Sequence, residues 1–229
     1  MRALVADETA LAPRKLARIS LIDFTKLFSD DKGMILFPNL EERLILTHSY
    51  GNYFRNTPPP KVIIEAVNKE SDALGKLISL TQHSIPGYNE DPIVKKNLLL
   101  AMTLANRPEK FLRVEKTDPA WLPIVDYHLM RVALRLGLVE LTAEEAKKNV
   151  RRNWISRNDE MSIRGKVFFA VKDVIERSGK PMAFVDEAMW QGRRYCLETE
   201  TPNCDKCQFN GVCAKRVKLF QPVFRTTAY

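Results

Sequence analysis

The sequence has few glycines, no long apolar run and no signal-peptide core. It contains 9 glycines among 229 residues, with 45% hydrophobic and 28% charged residues, which excludes collagen-like, low-complexity and wholly disordered chains. No apolar run reaches the length of about 18 residues that a membrane-spanning helix needs, and the N-terminus turns acidic at Asp7 and Glu8 before a signal-peptide core can form. We therefore expect a folded cytoplasmic protein that is neither exported nor inserted in a membrane.

Strand-like alternation is also scarce, whereas apolar residues recur with the helical period. This pattern predicts an all-α protein. Segment 93–106 is apolar around most of its circumference, so we expect its helix to be central in the core. Segment 106–119, with two prolines and many charges, is predicted to be a linker. The predicted helices span residues 14–28, 40–54, 60–81, 93–106, 121–138, 143–154, 161–178 and 181–195.

Cysteine is rare, but the four cysteines lie within 18 consecutive residues, at Cys196, Cys204, Cys207 and Cys213. In a reducing compartment, clustered thiols bind a metal or a cluster more often than they form disulfides. Four thiolates on one short loop can surround a single tetrahedral ion or a cubane with one sulfur for each iron. Zinc ribbons usually pair two short Cys-x-x-Cys knuckles and this loop has one, so the spacing favours a 4Fe-4S cluster, with zinc as the alternative.

Positive charge is concentrated at the same end of the chain. Residues 1–146 contain 19 basic and 19 acidic residues, whereas residues 147–229 contain 17 basic and 9 acidic residues. The whole net charge of +8 therefore lies in the last third of the sequence. Such a distribution attracts a polyanion such as nucleic acid, although a basic surface can also serve solubility alone.

The residues around the cysteines resemble a known loop. Trp190 to Cys196 reads WQGRRYC, and Pro202 to Cys207 reads PNCDKC. Together they resemble the C-terminal iron-sulfur loop of endonuclease III and its relatives in the helix-hairpin-helix DNA glycosylase superfamily, with a first gap one residue longer. The resemblance implies a two-lobed helical fold, a structural cluster on the four cysteines, and basic residues that contact the DNA backbone. Those residues are Arg193, Arg194, Lys206, Lys215, Arg216 and Lys218.

A second resemblance to the same superfamily lies at residues 124–132, IVDYHLMRV. The superfamily carries a similar string at the start of a helix, and its aspartate is the catalytic carboxylate, which the resemblance assigns to Asp126. The chemistry is reasonable, because cleavage of an N-glycosidic bond builds positive charge on the sugar that a fixed carboxylate stabilises. Aspartate is also a favoured N-cap, so Asp126 can serve both roles. His128 is assigned no chemical role and is expected to be structural.

The hairpin of the superfamily is only partly matched. Residues 85–88, IPGY, fit its opening, but Asn89 replaces the second glycine and the acidic residues Glu90 and Asp91 follow. Acidic side chains would repel a phosphate there, so hairpin binding to DNA is doubtful. The resemblance places the nucleophilic lysine of bifunctional members at Lys95 or Lys96. The alternative is that these two residues are an ordinary pair of lysines at the start of a helix.

The resemblance divides the chain into residues 1–84 as an N-terminal helical segment, 85–195 as the degenerate hairpin and catalytic region, 196–213 as the cluster loop and 214–229 as a basic tail. It implies a monomeric DNA repair N-glycosylase that acts on a damaged or modified base in double-stranded DNA, with AP-lyase activity if a lysine attacks the sugar. Such a protein would associate with the nucleoid. Two alternatives remain: a non-catalytic iron-sulfur protein that binds nucleic acid, and a hydrolase of a free modified nucleoside.

Overall fold

The chain folds into α-helices joined by turns and short extended segments. A computed structural model describes residues 9, 11–35, 38–198, 201–224 and 226. Within these residues there are ten α-helices and one short 3-10 helix, and the β-type pairing is limited to two isolated bridges, which confirms the prediction of an all-α protein. The helices are α1 (Pro13–Leu16), α2 (Leu21–Leu27), α3 (Leu40–Arg55), α4 (Pro60–Val67), α5 (Ala73–Ser84), α6 (Lys95–Asn106), α7 (Tyr127–Leu136), α8 (Ala143–Arg151), α9 (Arg157–Ser178), α10 (Met182–Gly192) and the 3-10 helix Cys204–Lys206.

The described residues form two compact units. The first contains the chain up to Pro92 together with Leu104–Arg113, and the second contains Ile93–Thr103 and the chain from Val114 onward. The second unit therefore includes the start of α6, helices α7 to α10 and the cysteine loop. In the described part of the chain, no helix has the length and apolar character needed to cross a bilayer.

In the first unit, the predicted helix 14–28 is interrupted. The side chain of His48 on α3 places Nε2 2.8 Å from the carbonyl oxygen of Ile19, which takes this carbonyl out of a helical hydrogen-bond ladder. Ser20 then caps α2, because its Oγ accepts a hydrogen bond from the backbone N–H of Asp23 at 3.1 Å. A contact between distant residues thus divides the predicted helix into α1 and α2.

The predicted helix 60–81 is interrupted in the same way. After α4 the amide of Asn68 turns to a distant segment, where it donates to the carbonyl oxygen of Phe111 at 2.7 Å and accepts from the N–H of Arg113 at 2.9 Å. The chain then restarts as α5 with Asp72 as N-cap. The two partners of Asn68 lie in the segment predicted to be a linker, and the part of that segment up to Arg113 belongs to the first unit.

The core of the second unit is built around α7. Helices α9 and α10 pack against it, and α7 is buried continuously from Leu129 to Arg135. The expectation that segment 93–106 forms the central helix is wrong: α6 buries Leu98 and Ala101 but leaves Leu99 39% exposed. The fully buried apolar residues of this core include Met130, Ala133 and Leu134 on α7 itself, and Val125, Val167 and Val171 packed with them.

The C-terminal segment is fixed against α8. A capping box starts this helix, with the Thr142 side chain and Glu145 bonded to each other's backbone N–H groups. Near its end, the buried amide of Asn149 donates to the carbonyl oxygen of Phe220 and accepts from its N–H. This two-way pairing holds the chain after the cysteine loop on the second unit.

Candidate functional site

The four cysteines line one cavity in the second unit. All are free thiols and partly buried, and they surround a recess of about 410 Å³, counting the part open to solvent. A mostly apolar lining of this kind limits the access of water to whatever the thiols bind. The apolar lining residues come from α7, α10 and the loop itself and include Val132, Leu136, Gly192, Pro202, Phe209 and Val217.

The loop is held in place by the C-terminal end of α7. The N–H groups of Ala214 and Arg216 donate to the carbonyl oxygens of Leu136 and Arg135 at 3.1 and 3.0 Å, which satisfies carbonyls that the helix end leaves open. Gly137 ends the helix with φ +85°, and a Cβ there would lie 2.7 Å from the Cβ of Ala214. Only glycine fits this close approach, so the cysteine cavity is built onto the end of α7.

Hydrogen-bond donors point at two of the sulfurs. The backbone N–H of Lys215 lies 3.3 Å from Cys213 Sγ, and Nη1 of Arg135 lies 3.5 Å from Cys196 Sγ. Burial and the charges of the other three cysteines raise the pKa of the Cys207 thiol, although the backbone of Phe209 opposes this. A bound cation reverses that effect, since a thiol that coordinates a metal is deprotonated.

The cysteines do not converge on one point. Within the described residues, no three His, Cys, Asp or Glu side chains are close enough together to hold a single metal ion. A zinc ion bound at about 2.3 Å by each sulfur would require such convergence, whereas a 4Fe-4S cluster takes one sulfur for each of its irons. The four thiols around one cavity are the residues that would hold either group.

Asp126 lies at the start of the same central helix. It is the N-cap of α7, with extended backbone angles, and its Oδ1 accepts the N–H of Leu129 at 2.8 Å. Residues 121–126 have no regular secondary structure, so the predicted helix 121–138 begins later than expected. The capping role expected for Asp126 is confirmed. The cap fixes the position of the carboxylate.

The peptide before Asp126 is fixed by a buried arginine on α9. Nε and Nη2 of Arg164 donate to the carbonyl oxygen of Val125 at 3.1 and 3.0 Å. Arg164 is also 4.0 Å from the carboxylate of Glu160, one turn earlier, and both side chains are 1% exposed. The carboxylate of Asp126 is therefore positioned from both sides: its own helix holds Oδ1, and α9 holds the preceding backbone.

A second carboxyl group, Asp186 on α10, lies within electrostatic range of Asp126. Burial and the negative charges of Asp126 and Glu187 raise the pKa of Asp186 to about 7, against an opposing effect of Lys95. These charges act on one another because α6, α7 and α10 bring their residues into one region of the second unit. Asp186 is partly buried.

Aromatic rings continue this region along α7 and α10. The ring of Tyr127, which is 43% exposed, lies 4.0 Å from the ring of His128, and His128 makes an edge contact with Trp190 at 5.2 Å. The guanidinium group of Arg193 lies over the ring of Trp190, with its central carbon 4.0 Å from the ring centroid. These side chains form a row of successive contacts that starts at Tyr127, the residue after Asp126.

Arg131 connects this row to the cysteine loop. Its Nη2 lies 3.0 Å from Nδ1 of His128, and its Nε donates to the carbonyl oxygen of Cys196 at 2.8 Å. Because a guanidinium can only donate, Nδ1 of His128 accepts and its proton sits on Nε2. Burial lowers the pKa of His128, with Arg131 and Arg193 adding to this effect against Asp126 and Glu198. The histidine is therefore a neutral structural link, as expected.

The two candidate lysines begin α6. Both are partly buried, and Lys95 is the one whose charge acts on Asp186. The residue before them, Val94, has φ +51°, a left-handed conformation that β-branched residues rarely adopt. Its carbonyl oxygen accepts the N–H of Leu98 at 3.0 Å. The strained residue thus sets the direction in which α6 starts.

The six predicted DNA-contacting residues differ in exposure. Arg193 is packed on Trp190, as described above. Arg216 is partly buried and donates to the carbonyl oxygen of Val139 at 3.2 Å and to the carboxylate of Glu140. The side chains available to a polyanion on the second unit are the exposed ones: Arg194, Lys206, Lys215 and Lys218.

The predicted hairpin lies in the first unit. Residues 85–88 form a turn in which the last N–H donates to the first carbonyl oxygen at 3.2 Å, and Gly87 has φ +82°. Asp91 is 2% exposed, so its carboxylate is not on the surface of the turn. Glu90 is exposed and remains the acidic group that a phosphate would meet there.

Sequence reasoning missed Asp186, Trp190 and Arg164. A partial signal existed for each, because Asp186 and Trp190 stand at helical i, i+4 spacing just before the cysteine loop, and Glu160 and Arg164 form an i, i+4 pair of opposite charge. What the sequence does not contain is the approach of these helices to the start of α7, where Arg164 bonds to the Val125 carbonyl and Trp190 contacts His128. That approach depends on how α9 and α10 pack around α7.

No protein-family model matches the sequence, and no curated protein resembles it closely enough to count as a relative. The function is therefore argued from the chemistry of the described residues: two carboxyl groups and a lysine in one region, and a cysteine-lined cavity in the same unit.

Proposed function

We propose that the chain is a DNA N-glycosylase that cleaves the bond between a damaged or modified base and its sugar, and that it carries a 4Fe-4S cluster on Cys196, Cys204, Cys207 and Cys213. The observation that carries the proposal is that Asp126 at the cap of α7 and Lys95 at the start of α6 both act electrostatically on a second, partly buried carboxyl group, Asp186. The resemblance of the Asp126 string and the cysteine loop to the helix-hairpin-helix superfamily supports the same activity.

Asp126 is the group that faces the developing charge on the sugar. Its Oδ1 is used by the helix cap, while among the described residues nothing bonds to its Oδ2, which is left for the substrate. A carboxylate held in advance stabilises an oxocarbenium-like transition state without the cost of reorganising a mobile side chain. It also accepts a proton from the water that attacks the sugar.

Lys95 is the residue for lyase chemistry. An attacking amine forms a Schiff base with the opened sugar, and this requires an amine close to the carboxylate that stabilises the same carbon. Lys95 begins a helix in the same unit and its charge acts on Asp186. AP-lyase activity therefore belongs to Lys95 rather than Lys96 in this proposal.

The cluster has a structural role in the proposal. When bound, it fixes the loop that presents Lys206, Lys215 and Lys218 to solvent. Phosphate contacts from such residues hold a protein on DNA without reading its sequence. Arg131 bonds both to the loop, at the Cys196 carbonyl, and to His128, two residues after Asp126. A disordered loop would therefore disturb the start of α7.

The test is base release from duplexes that each contain one damaged base, measured for the wild type and for Asp126→Asn. Asparagine caps a helix as well as aspartate does, so the variant should fold while its activity falls about 100-fold or more. The matched control is Asp72→Asn, which changes an N-cap aspartate of the first unit that accepts a backbone N–H at the same 2.8 Å. Equal activity of both variants would contradict the proposal.

A second candidate, the hydrolysis of a free modified nucleoside, is favoured by the exposed Glu90 at the hairpin turn, where DNA binding requires attraction of a phosphate. Salt separates the two substrates. Activity on a duplex should fall steeply as salt rises, because phosphate contacts release counterions, whereas activity on a nucleoside should change little. A wild type that binds DNA and releases no base from any substrate would instead indicate a non-catalytic nucleic-acid-binding protein.

A further inference from the structure

One face of α10 is directed at the start of α7. Asp186, Trp190 and Arg193 stand at positions i, i+4 and i+7, which share a face of a helix. The middle residue of this face contacts the ring of His128 at 5.2 Å, and His128 follows Asp126 by two positions. The first residue, Asp186, is on the same face one turn earlier. A Cβ at Gly192 would lie 3.6 Å from Val132, so earlier positions on α10 face earlier positions on α7, and Asp186 is directed toward the end of α7 that Asp126 caps.

The surroundings of Asp186 do not explain why an acid stands there. The neighbouring residues of α10, Val185 and Met189, belong to the hydrophobic core. Among the described residues, none donates a hydrogen bond to the Asp186 carboxyl or forms an ion pair with it. A partly buried carboxyl group without a partner lowers stability rather than raising it. Its presence beside Asp126 is more readily explained by chemistry than by folding.

The charged groups around Asp186 act in opposite directions. Asp126 at the cap of α7 and Glu187 on α10 disfavour its ionisation, and Lys95 at the start of α6 favours it. With burial included, the pKa of Asp186 lies at about 7. Near neutral pH a large fraction of Asp186 therefore carries a proton. Two carboxyl groups with different protonation are the usual division between an acid and a base in one site.

We propose that Asp186 is the general acid of the reaction and protonates the departing base, and that the substrate is therefore a nucleotide whose damaged base is neutral. This inference rests on the proposed function. A neutral base is a poor leaving group and departs more readily when a ring nitrogen or carbonyl oxygen receives a proton. A base alkylated on a ring nitrogen already carries a positive charge and needs no acid.

The step balances as a hydrolysis. The bond between C1′ and the base nitrogen breaks, its electron pair goes to the base, and the proton of the Asp186 carboxyl group goes to the base. Water adds to C1′ and gives a proton to the Asp126 carboxylate. The products are the neutral free base and a sugar hydroxyl at C1′. Loss of that proton from Asp126 to solvent and uptake of one by Asp186 restore the starting state.

The first experiment compares wild type and Asp186→Asn in single-turnover base release from duplexes that contain a neutral damaged purine, hypoxanthine or 8-oxoguanine, or the cationic 7-methylguanine. The variant should lose about 100-fold or more on the neutral base and less than about threefold on the cationic base. Similar losses on both bases would show a structural role for Asp186 and overturn the inference.

The second experiment is the pH profile of release of the neutral base. The wild-type rate should fall above pH about 7 as Asp186 loses its proton, and this limb should be absent in Asp186→Asn. The control Glu187→Gln removes a neighbouring negative charge without removing the acid, so it should retain activity and move the limb to lower pH. A limb that persists in Asp186→Asn would overturn the inference.

The two proposals fail in different ways. If wild type releases no base of either kind, the glycosylase function is wrong and this inference falls with it. If Asp126→Asn abolishes release while Asp186→Asn retains the wild-type rate and pH profile on the neutral base, the glycosylase function stands and the role of Asp186 is wrong.

Discussion

The guanidinium of Arg164 donates two hydrogen bonds to the carbonyl oxygen of Val125, the residue that precedes Asp126. A fully buried cation on α9 thus holds the backbone that positions the candidate catalytic carboxylate. Arg164 has a buried acidic neighbour, Glu160, on the same helix. The positive charge of Arg164 is therefore balanced by Glu160 on the same helix. Two of its hydrogen bonds go to the backbone just before α7.

Replacing Arg164 should damage both stability and activity. Arg164→Met leaves Glu160 buried without the guanidinium beside it, which should lower the free energy of unfolding by about 3–5 kcal/mol in chemical denaturation. The double variant Glu160→Gln, Arg164→Met removes both charges and should recover part of that loss. It should not recover base release, because the Val125 carbonyl still lacks its donors. A double variant with full activity would show that Arg164 serves stability alone.

The sequence predicted the elements whose cause is local. Helical periodicity predicted the all-α class, and the spacing of the cysteines predicted thiols around one site, which the cavity on α7 agrees with. The capping role of Asp126 also follows from residue type at a helix start. These features depend on neighbours within a few positions, which a single sequence displays directly.

The features that were missed depend on contacts between distant residues. The break at Asn68 comes from hydrogen bonds to residues more than 40 positions away, and no periodicity encodes it. Asp186 is ordinary in its own helix, and its pKa is raised because packing buries it and brings it near Asp126, 60 positions earlier. Local sequence patterns therefore predicted Asp126, whereas Asp186 could be recognised only from the packing of the helices.

Removing the charge of Asp186 should stabilise the protein at alkaline pH. The folded-state pKa of about 7 lies above the value of about 3.9 for an unfolded aspartate. The wild type therefore loses stability as pH rises from about 4 to about 7, since ionisation is favoured in the unfolded chain. Asp186→Asn should be more stable than wild type by about 2–4 kcal/mol at pH 8 and equal to it near pH 4.

The measurement is urea denaturation at both pH values. The control is Asp173→Asn on α9, an exposed acid 3.5 Å from Arg177, which should change stability by less than about 0.5 kcal/mol at either pH. A gain of the same size at pH 4 and pH 8 would mean that ionisation of Asp186 is not its cause.

Glu145 should make the opposite contribution at acidic pH. Burial alone would raise its pKa, but hydrogen bonds from Lys166, the Thr142 backbone and Ser162 hold the pKa of Glu145 at about 2. A depressed folded-state pKa stabilises the protein above pH about 4.5, and this stabilisation is lost as pH falls toward 2. Glu145→Gln should therefore cost about 1–2 kcal/mol at pH 7 and almost nothing near pH 2, measured by denaturation across that range.

The control for Glu145 is its neighbour Glu144, whose side chain is 78% exposed and 3.1 Å from Lys148. Glu144→Gln removes the same charge from the same turn of α8 and should have little effect at any pH, since exposed ion pairs contribute little. Equal losses in the two variants would show that the general charge of the helix, rather than the bonds to Glu145, sets its stability.

Gly192 should be necessary for the cysteine cavity. A Cβ at this position, the last of α10, would lie 2.8 Å from Cε2 of Phe209 in the cysteine loop. A Cβ at Gly211, two residues after Phe209, would meet nothing within 4 Å. Gly192→Ala should therefore lose about 1–3 kcal/mol of stability by overpacking and retain less iron and acid-labile sulfide per chain. Gly211→Ala should retain both at the wild-type level. Equal iron contents in the two variants would contradict the placement of the cluster in this cavity.

The exposed lysines of the loop should set the salt dependence of DNA binding. Replacing Lys206, Lys215 and Lys218 by Gln should weaken binding to all duplex sequences alike, because interactions with phosphate carry no sequence information. The slope of log affinity against log salt should become shallower by about 0.9 for each phosphate that the variant no longer neutralises. The measurement is fluorescence anisotropy of a labelled duplex at several salt concentrations.

The matched control removes three exposed lysines of the first unit, Lys26, Lys32 and Lys61. Both triple variants change the net charge by the same amount, so long-range attraction alone would weaken binding equally and leave similar slopes. A shallower slope in the loop variant alone would locate the phosphate-binding residues beside the cysteine cavity. Identical slopes would show that these lysines add only to the overall charge, and the DNA-binding role assigned to the loop would be wrong.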